Sequence, residues 1–250
     1  MADWNDPRAT RQGFGAAPSQ TGDLAGRSTY DAGLRRHMLS IYNYMASGVL
    51  LTGLVAMLFA NSGMAAQVFL AGGILAWVIM LSPLAIVIAM SFGQNKFSTA
   101  TLQAMFWGFA VLMGMSLSTL FLVYTDASIA ATFFATAGAF AGLSLFGYTT
   151  KKDLSAFGTF LIMGVFGLIV AMLINMFVHS SAMNLLISAV GVLLFAGLTA
   201  YDTQRIKSGY FAVRGTAYAG KSAVMGALQL YLDFINLFLF LLRFMGNQRN

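Results

Sequence analysis

The sequence has no cysteine, three prolines and two histidines, and charged residues make up 9% of its 250 residues. Without cysteine there is neither a disulfide nor a thiolate metal site. His37 and His179 fall at the ends of apolar runs, not within them. They supply too few nitrogens for a histidine metal centre and no base for serine chemistry at Ser116, Ser118 or the Ser180–Ser181 pair, so both are expected at the surface. Acidic residues are scarce as well, 8 against 14 Lys and Arg, which leaves a net charge of +6. That surplus is spread over short connections between apolar runs, so no nucleic-acid partner is expected.

Hydrophobic residues make up 58% of the chain and the mean hydropathy is +0.76, far more apolar than a soluble domain requires. Apolar runs of membrane-crossing length, about 20 residues, fall at 39–60, 67–91, 102–124, 128–148, 156–178, 183–203 and 222–243. These predict an all-α membrane protein, a bundle of seven transmembrane helices over residues 39–245. Residues 1–38 hold Pro7, Pro18, several Gly and Ser and charges of both signs, a composition that buries no core, and are expected to form a disordered tail. No early apolar stretch with a cleavage site precedes the first span, so the span itself is expected to direct insertion.

The connections after spans one, three and five have no Lys or Arg. Arg27, Arg35 and Arg36 precede span one, Lys96 follows span two, Lys151 and Lys152 follow span four, and Arg205, Lys207, Arg214 and Lys221 follow span six. By the positive-inside rule this alternation places the N-terminus and the even-numbered connections in the cytoplasm. Seven crossings then put the C-terminus outside. Arg243 and Arg249 run against that rule, and a re-entrant last segment is the alternative.

Small residues recur every fourth position in span four, at Ala131, Ala135 and Ala139 and at Gly138 and Gly142, and Gly164 and Gly167 follow in span five. Such spacing predicts tight helix packing. Pro83, with Ser82 before it and Gly72–Gly73 a few turns earlier, is expected to kink span two. In span seven, steps of three or four residues join Ser222, Gly226, Gln229, Asp233, Asn236, Phe240 and Arg243, a polar stripe that Phe240 alone interrupts. In hydrocarbon such a stripe must face protein or water.

Two carboxylates mark the chemistry. Asp202 lies near the end of span six and Asp233 in the middle of span seven. An ionisable group at bilayer depth faces a protein-lined cavity, a partner or an ion path. Arg205, three residues after Asp202, is placed for a helical ion pair with it. Asp233 has Gln229, Leu230, Asn236 and Leu237 as its helical neighbours, so its partner must come from another helix, and Asp202 is the one other acidic group so deep. Carboxylates sharing a low-dielectric site titrate as a coupled pair, which makes them a candidate pH sensor. Deprotonated, they offer hard oxygen ligands suited to transient Ca²⁺. Gln229 and Asn236 would line the same path, although both could equally serve as hydrogen-bonding glue between helices.

The run Tyr201-Asp202-Thr203-Gln204-Arg205-Ile206, followed in span seven by Ala227-Leu228-Gln229-Leu230-Tyr231-Leu232-Asp233-Phe234-Ile235-Asn236-Leu237-Phe238, closely resembles the signatures of the Bax inhibitor-1 family, and the likeness covers roughly 30–245. The resemblance implies a seven-helix bundle with the last helix central and a pH-sensitive Ca²⁺ leak, with Asp202 and Asp233 as a hydrogen-bonded sensor pair. Ca²⁺ would be the transported ion, and no cofactor is implied. Some members carry an arginine in span two that latches onto the sensor aspartate; residues 67–91 contain no basic residue, so the pair carries over and the latch does not. Other bacterial relatives are inner-membrane proteins that modulate a membrane-anchored ATP-dependent protease. The chain is accordingly expected in a bacterial inner membrane, with that protease as the alternative partner beside the lipid bilayer.

An enzyme is not expected. Intramembrane aspartyl proteases also pair a Tyr-Asp in span six with an aspartate in span seven, but the latter closes a Gly-x-Gly-Asp motif and a Pro-Ala-Leu motif follows; here Leu230-Tyr231-Leu232 precedes Asp233 and no proline occurs after Pro83. A third reading is a non-catalytic regulator acting through the tail and the connection 204–221, whose Tyr210, Phe211, Arg214, Tyr218 and Lys221 would also anchor at lipid headgroups.

Overall fold

The computed structural model describes the backbone of residues 20–249 and the side chains of residues 32–249. The described residues form nine helices: α1 (Gln20–Asn61), α2 (Met64–Ala71), α3 (Ile74–Gly93), α4 (Thr99–Leu117), α5 (Leu120–Val123), α6 (Asp126–Thr149), α7 (Ser155–Val178), α8 (Ser181–Val213) and α9 (Ala219–Met245). Seven segments are long and apolar enough to cross a membrane, with α4 and α5 together making one of them. The first 19 residues of the expected tail lie outside the described residues. The rest of it, from Gln20, belongs to α1, a run that starts two residues after Pro18 and meets no other proline.

The second predicted span is shorter at its start. Gly72 and Gly73 have φ of 68° and 105°, left-handed values that only glycine adopts at little cost, so they break 67–91 into α2 and α3. Inside α3, Pro83 cannot donate to the carbonyl of Ile79. The Ser82 hydroxyl donates to that carbonyl instead, at 3.0 Å, which satisfies it at bilayer depth.

The sixth span is longer than its hydropathy suggested. Polarity rises at Gln204, yet α8 continues to Val213, because Gln, Arg and Lys are good helix formers whatever their polarity. The connection read as 204–221 is therefore mostly helix, and only 214–218 turns, with Gly215 at φ 73°.

α9 is the central helix: 67% of its most apolar window is buried, against 17–39% for the other six spans. Around it, Tyr231 packs edge-on to Phe106 and Phe109 of α4 and shares a 2.6 Å hydrogen bond with Thr52 of α1. Phe234 meets Phe133 and Phe140 of α6, and Phe240 stacks on Phe195 of α8. α7 lies outside α8, and α3 packs against α4, leaving Trp77, Leu81 and Leu84 exposed as lipid-facing residues do.

The small-residue face of α6 does not pack as predicted. Ala131, Ala135 and Ala139 are exposed, and a Cβ at Gly138, Gly142 or, on α7, Gly167 would meet nothing within 4 Å. The buried face of α6 is its polar one, Ser128, Thr132, Thr136, Phe140, Ser144 and Gly147. Hydroxyls need hydrogen-bond acceptors that lipid does not offer, whereas alanine is at home in lipid. Close backbone approach occurs at Gly147 against the Ala200 carbonyl, and Gly164 takes the Leu194 side chain.

The two faces of the bundle are distinct. At one, Tyr218 and Lys221 at the start of α9 hydrogen-bond Gln94 and Asn95 of the α3–α4 turn, and Lys207 donates to the Tyr148 carbonyl at 2.6 Å. At the other, the residues after α9 clasp the α5–α6 connection: Arg249 N–H donates to the Val123 carbonyl at 2.8 Å, and its guanidinium pairs with Asp126 at 3.8 Å. α9 thus runs from one face to the other and is not re-entrant.

Candidate functional site

The signature closing the apolar part of α8 distributes its side chains over successive faces of one helix. Tyr201 packs its ring where a Cβ on Gly158 of α7 would stand. Asp202 points to α9. The Thr203 hydroxyl lies 2.7 Å from the Thr199 carbonyl and 3.0 Å from the Ser144 hydroxyl, which is 2.6 Å from that of Tyr42, so α1, α6 and α8 are joined by one polar chain. Gln204 accepts from Leu154 N–H at 2.9 Å and donates to the Lys152 carbonyl at 2.8 Å, holding the α6–α7 connection. Ile206 faces Gly226 of α9. A short motif thus fixes α8 to four neighbouring elements.

Asp202 and Asp233 come together. Their carboxyls are close enough to interact directly, and they are 2% and 4% exposed. The apparent mismatch in depth disappears because α8 extends past its apolar run: Asp202 lies eleven residues before Val213 and Asp233 fourteen after Ala219, about 16 and 21 Å from the helix ends at 1.5 Å per residue. Asp202 is consequently mid-helix, not terminal. Gln229 reaches back from α9 and donates to Asp202 Oδ2 at 3.0 Å. Asp233 Oδ2 is buried with no hydrogen-bond partner among the described residues.

Two of the predicted participants stand apart. Arg205 is near enough to bear on Asp202 electrostatically but forms no ion pair with it; the ion pair among the described residues is Arg249–Asp126. Arg205 instead lines a cavity of about 330 Å³ with Lys151, Lys152, Asp153 and Gln204. Asn236 donates to the Leu232 carbonyl of its own helix at 2.8 Å and does not reach the carboxylates. The polar stripe of α9 is therefore not uniformly interior: Gln229 and Arg243 are exposed while the apolar sides of the helix are covered.

Sequence reasoning missed His37. Its Nε2 is buried with no hydrogen-bond partner among the described residues and its ring lies 5.1 Å from that of Tyr210, while the residue as a whole is half-buried. Only its position at the start of a span could have hinted at this. No group of three or more His, Cys, Asp or Glu able to hold a metal occurs among the described residues.

A seven-span bundle whose central helix carries one member of a buried carboxylate pair defines the class as a multi-pass membrane protein. The chain matches the family described as Inhibitor of apoptosis-promoting Bax1 over residues 34–250, and it belongs to that Bax inhibitor-1 family. It is 43% identical to the inner membrane protein YbhL of Escherichia coli K12, across 87% of this chain and 94% of that protein. It is 45% identical to an uncharacterised protein of Rickettsia prowazekii, across 89% of this chain and 94% of the relative, and 45% identical to one of Caulobacter vibrioides, across 94% and 97%.

Proposed function

We propose that the protein is a pH-sensitive leak for Ca²⁺ or a similar cation, in a bacterial inner membrane with its N-terminus cytoplasmic, gated by the Asp202–Asp233 pair. The observation that carries this reading is the buried, unpartnered Oδ2 of Asp233 beside a second carboxyl. A buried polar oxygen without a partner is costly, and a group kept so in the hydrocarbon interior is a functional feature by default. With both carboxyls ionised the pair offers two charges and four oxygens to a divalent cation; a shared proton removes one charge and ties α8 to α9. The cavity beside Tyr201 is rimmed by Lys151, Lys152 and Arg205, the wrong sign for a cation vestibule. Access to the pair runs instead past Gln229, which is exposed and bonded to Asp202.

No enzyme activity is part of this reading. Proteolysis needs room for a peptide between the carboxylates, and Leu230, Tyr231 and Phe234 are buried around Asp233. The alternative is a non-catalytic regulator of a membrane-anchored ATP-dependent protease, acting through the tail and the end of α8. The deciding experiment is Ca²⁺ uptake into proteoliposomes by the native chain, by Asp233→Asn and by a chain lacking the tail. The leak predicts uptake above empty liposomes that survives tail deletion and is altered by Asp233→Asn. Absence of uptake by folded protein contradicts it and favours the regulator.

A further inference from the structure

We propose that the protein holds an anionic phospholipid headgroup at Arg243, in the leaflet on the side where α9 ends. Arg243 is a cation at the face that the positive-inside pattern leaves poor in basic residues. Arg249 at that face pairs with Asp126, but Arg243 has no carboxylate partner among the described residues: its contacts there are the Met172 sulfur at 3.9 Å and the Phe240 ring at 5.8 Å. A guanidinium carries five N–H donors in a fork suited to a phosphate, and neither contact offers an oxygen.

Arg243 opens onto a cavity of about 460 Å³, lined also by Met172, Asn175, Met176, His179 and Asn184. No carboxylate lines it. The carboxamide oxygens are already used: Asn184 Oδ1 accepts from Asn175 at 2.8 Å, and Asn175 Oδ1 accepts from Ser180 N–H at 3.0 Å. The carbonyl of Phe177 lies 3.0 Å from His179 Nδ1. The Asn184 amide N–H groups have no partner among the described residues. Apart from the His179 ring, the cavity therefore presents donors and a positive charge, the complement of an oxyanion.

A lipid is favoured over a free anion by what adjoins the cavity. Leu173, Met176, Phe177 and Leu186 are strongly exposed beside it on α7 and α8, an apolar wall on which acyl chains lie while the phosphate meets Arg243. A phosphodiester with no ammonium of its own, as in phosphatidylglycerol, fits better than a zwitterionic headgroup, whose cation would face the guanidinium.

The test uses the purified, delipidated full chain with dioleoylphosphatidylglycerol, dioleoylphosphatidylcholine and inorganic phosphate as probes, read by native mass spectrometry. Phosphatidylglycerol is expected to bind at least fivefold more tightly than phosphatidylcholine, to lose that preference in Arg243→Gln, to keep it in Arg249→Gln, and to resist displacement by millimolar phosphate. Met172→Glu, which offers Arg243 an internal carboxylate while leaving the cation in place, is expected to lose the preference too, and it decides the matter should Arg243→Gln fail to fold. An unchanged preference in folded Arg243→Gln or Met172→Glu overturns the site. Displacement by phosphate overturns the lipid as its occupant.

Discussion

At the scale of the residue, the two amides on α9 that look alike in the sequence have different work. Gln229 spends a donor on Asp202, whereas Asn236 spends one on the carbonyl of Leu232. Gln229→Ala removes the one neutral donor to the pair, so it is expected to shift the pH profile of Ca²⁺ uptake. Asn236→Ala is expected to leave that profile in place and to change only amplitude or stability. Identical profiles for native chain and Gln229→Ala would show that the amide plays no part in setting the charge of the pair. Spacing alone put both amides on the carboxylate stripe, because a 3.6-residue period fixes a face and not a partner. The pairing of Asp202 with Asp233 was legible for a simpler reason: the chain holds no other acid so deep. The ion pair with Arg205 was not, since residues three apart are neighbours on a helix only when their side chains lean the same way, and Asp202 leans to α9.

At the scale of the element, close approach is localised. A Cβ at Gly147 would run into the Ala200 backbone, which cannot yield as a flexible side chain does, whereas one at Gly142 meets nothing. Gly147→Ala is expected to destabilise the protein by about 1–3 kcal/mol through overpacking, and Gly142→Ala to change little, measured by unfolding in detergent. The recurrence of alanine in span four suggested the opposite assignment. Small residues permit close packing but do not demand it, while the buried hydroxyls of Thr132, Thr136 and Ser144 demand acceptors. The start of α7 shows a milder effect. The Ser155 hydroxyl, and with it the Ser155 N–H that donates to the Asp153 carboxylate at 2.9 Å, holds the carboxylate's pKa below the usual carboxylate range. A depressed pKa means stability that is present above the ordinary carboxylate pKa and lost as pH falls through the lowered one. Asp153→Ala should therefore lower the unfolding temperature slightly at pH 7 and not at pH 2.

At the scale of the molecule, seven spans and a central last helix follow from hydropathy and from the polar groups on α9. Helix ends are what hydropathy misplaced, at Gly72–Gly73, where backbone conformation decided, and beyond Gln204, where helix propensity outlasted the apolar run. That second extension matters most for function, because it brings Asp202 to the depth of Asp233. The C-terminal residues also belong to the scaffold: Asn247 N–H donates to the Ser128 hydroxyl at 2.9 Å, and Arg249 binds the Phe121 and Val123 carbonyls. Ending the chain at Gly246 is expected to lower the unfolding temperature by a few degrees without abolishing uptake, since the strap lies at the face remote from the start of α9.

Whether the two carboxyls act together as the sensor is decided by Ca²⁺ uptake into proteoliposomes measured from pH 6 to 8 for the native chain, Asp202→Asn and Asp233→Asn. Asparagine preserves the size of the side chain and its capacity to hydrogen-bond while removing the titration. Uptake is expected to vary with pH in the native protein and to become flat in both variants. A native pH profile retained in either folded variant would contradict it.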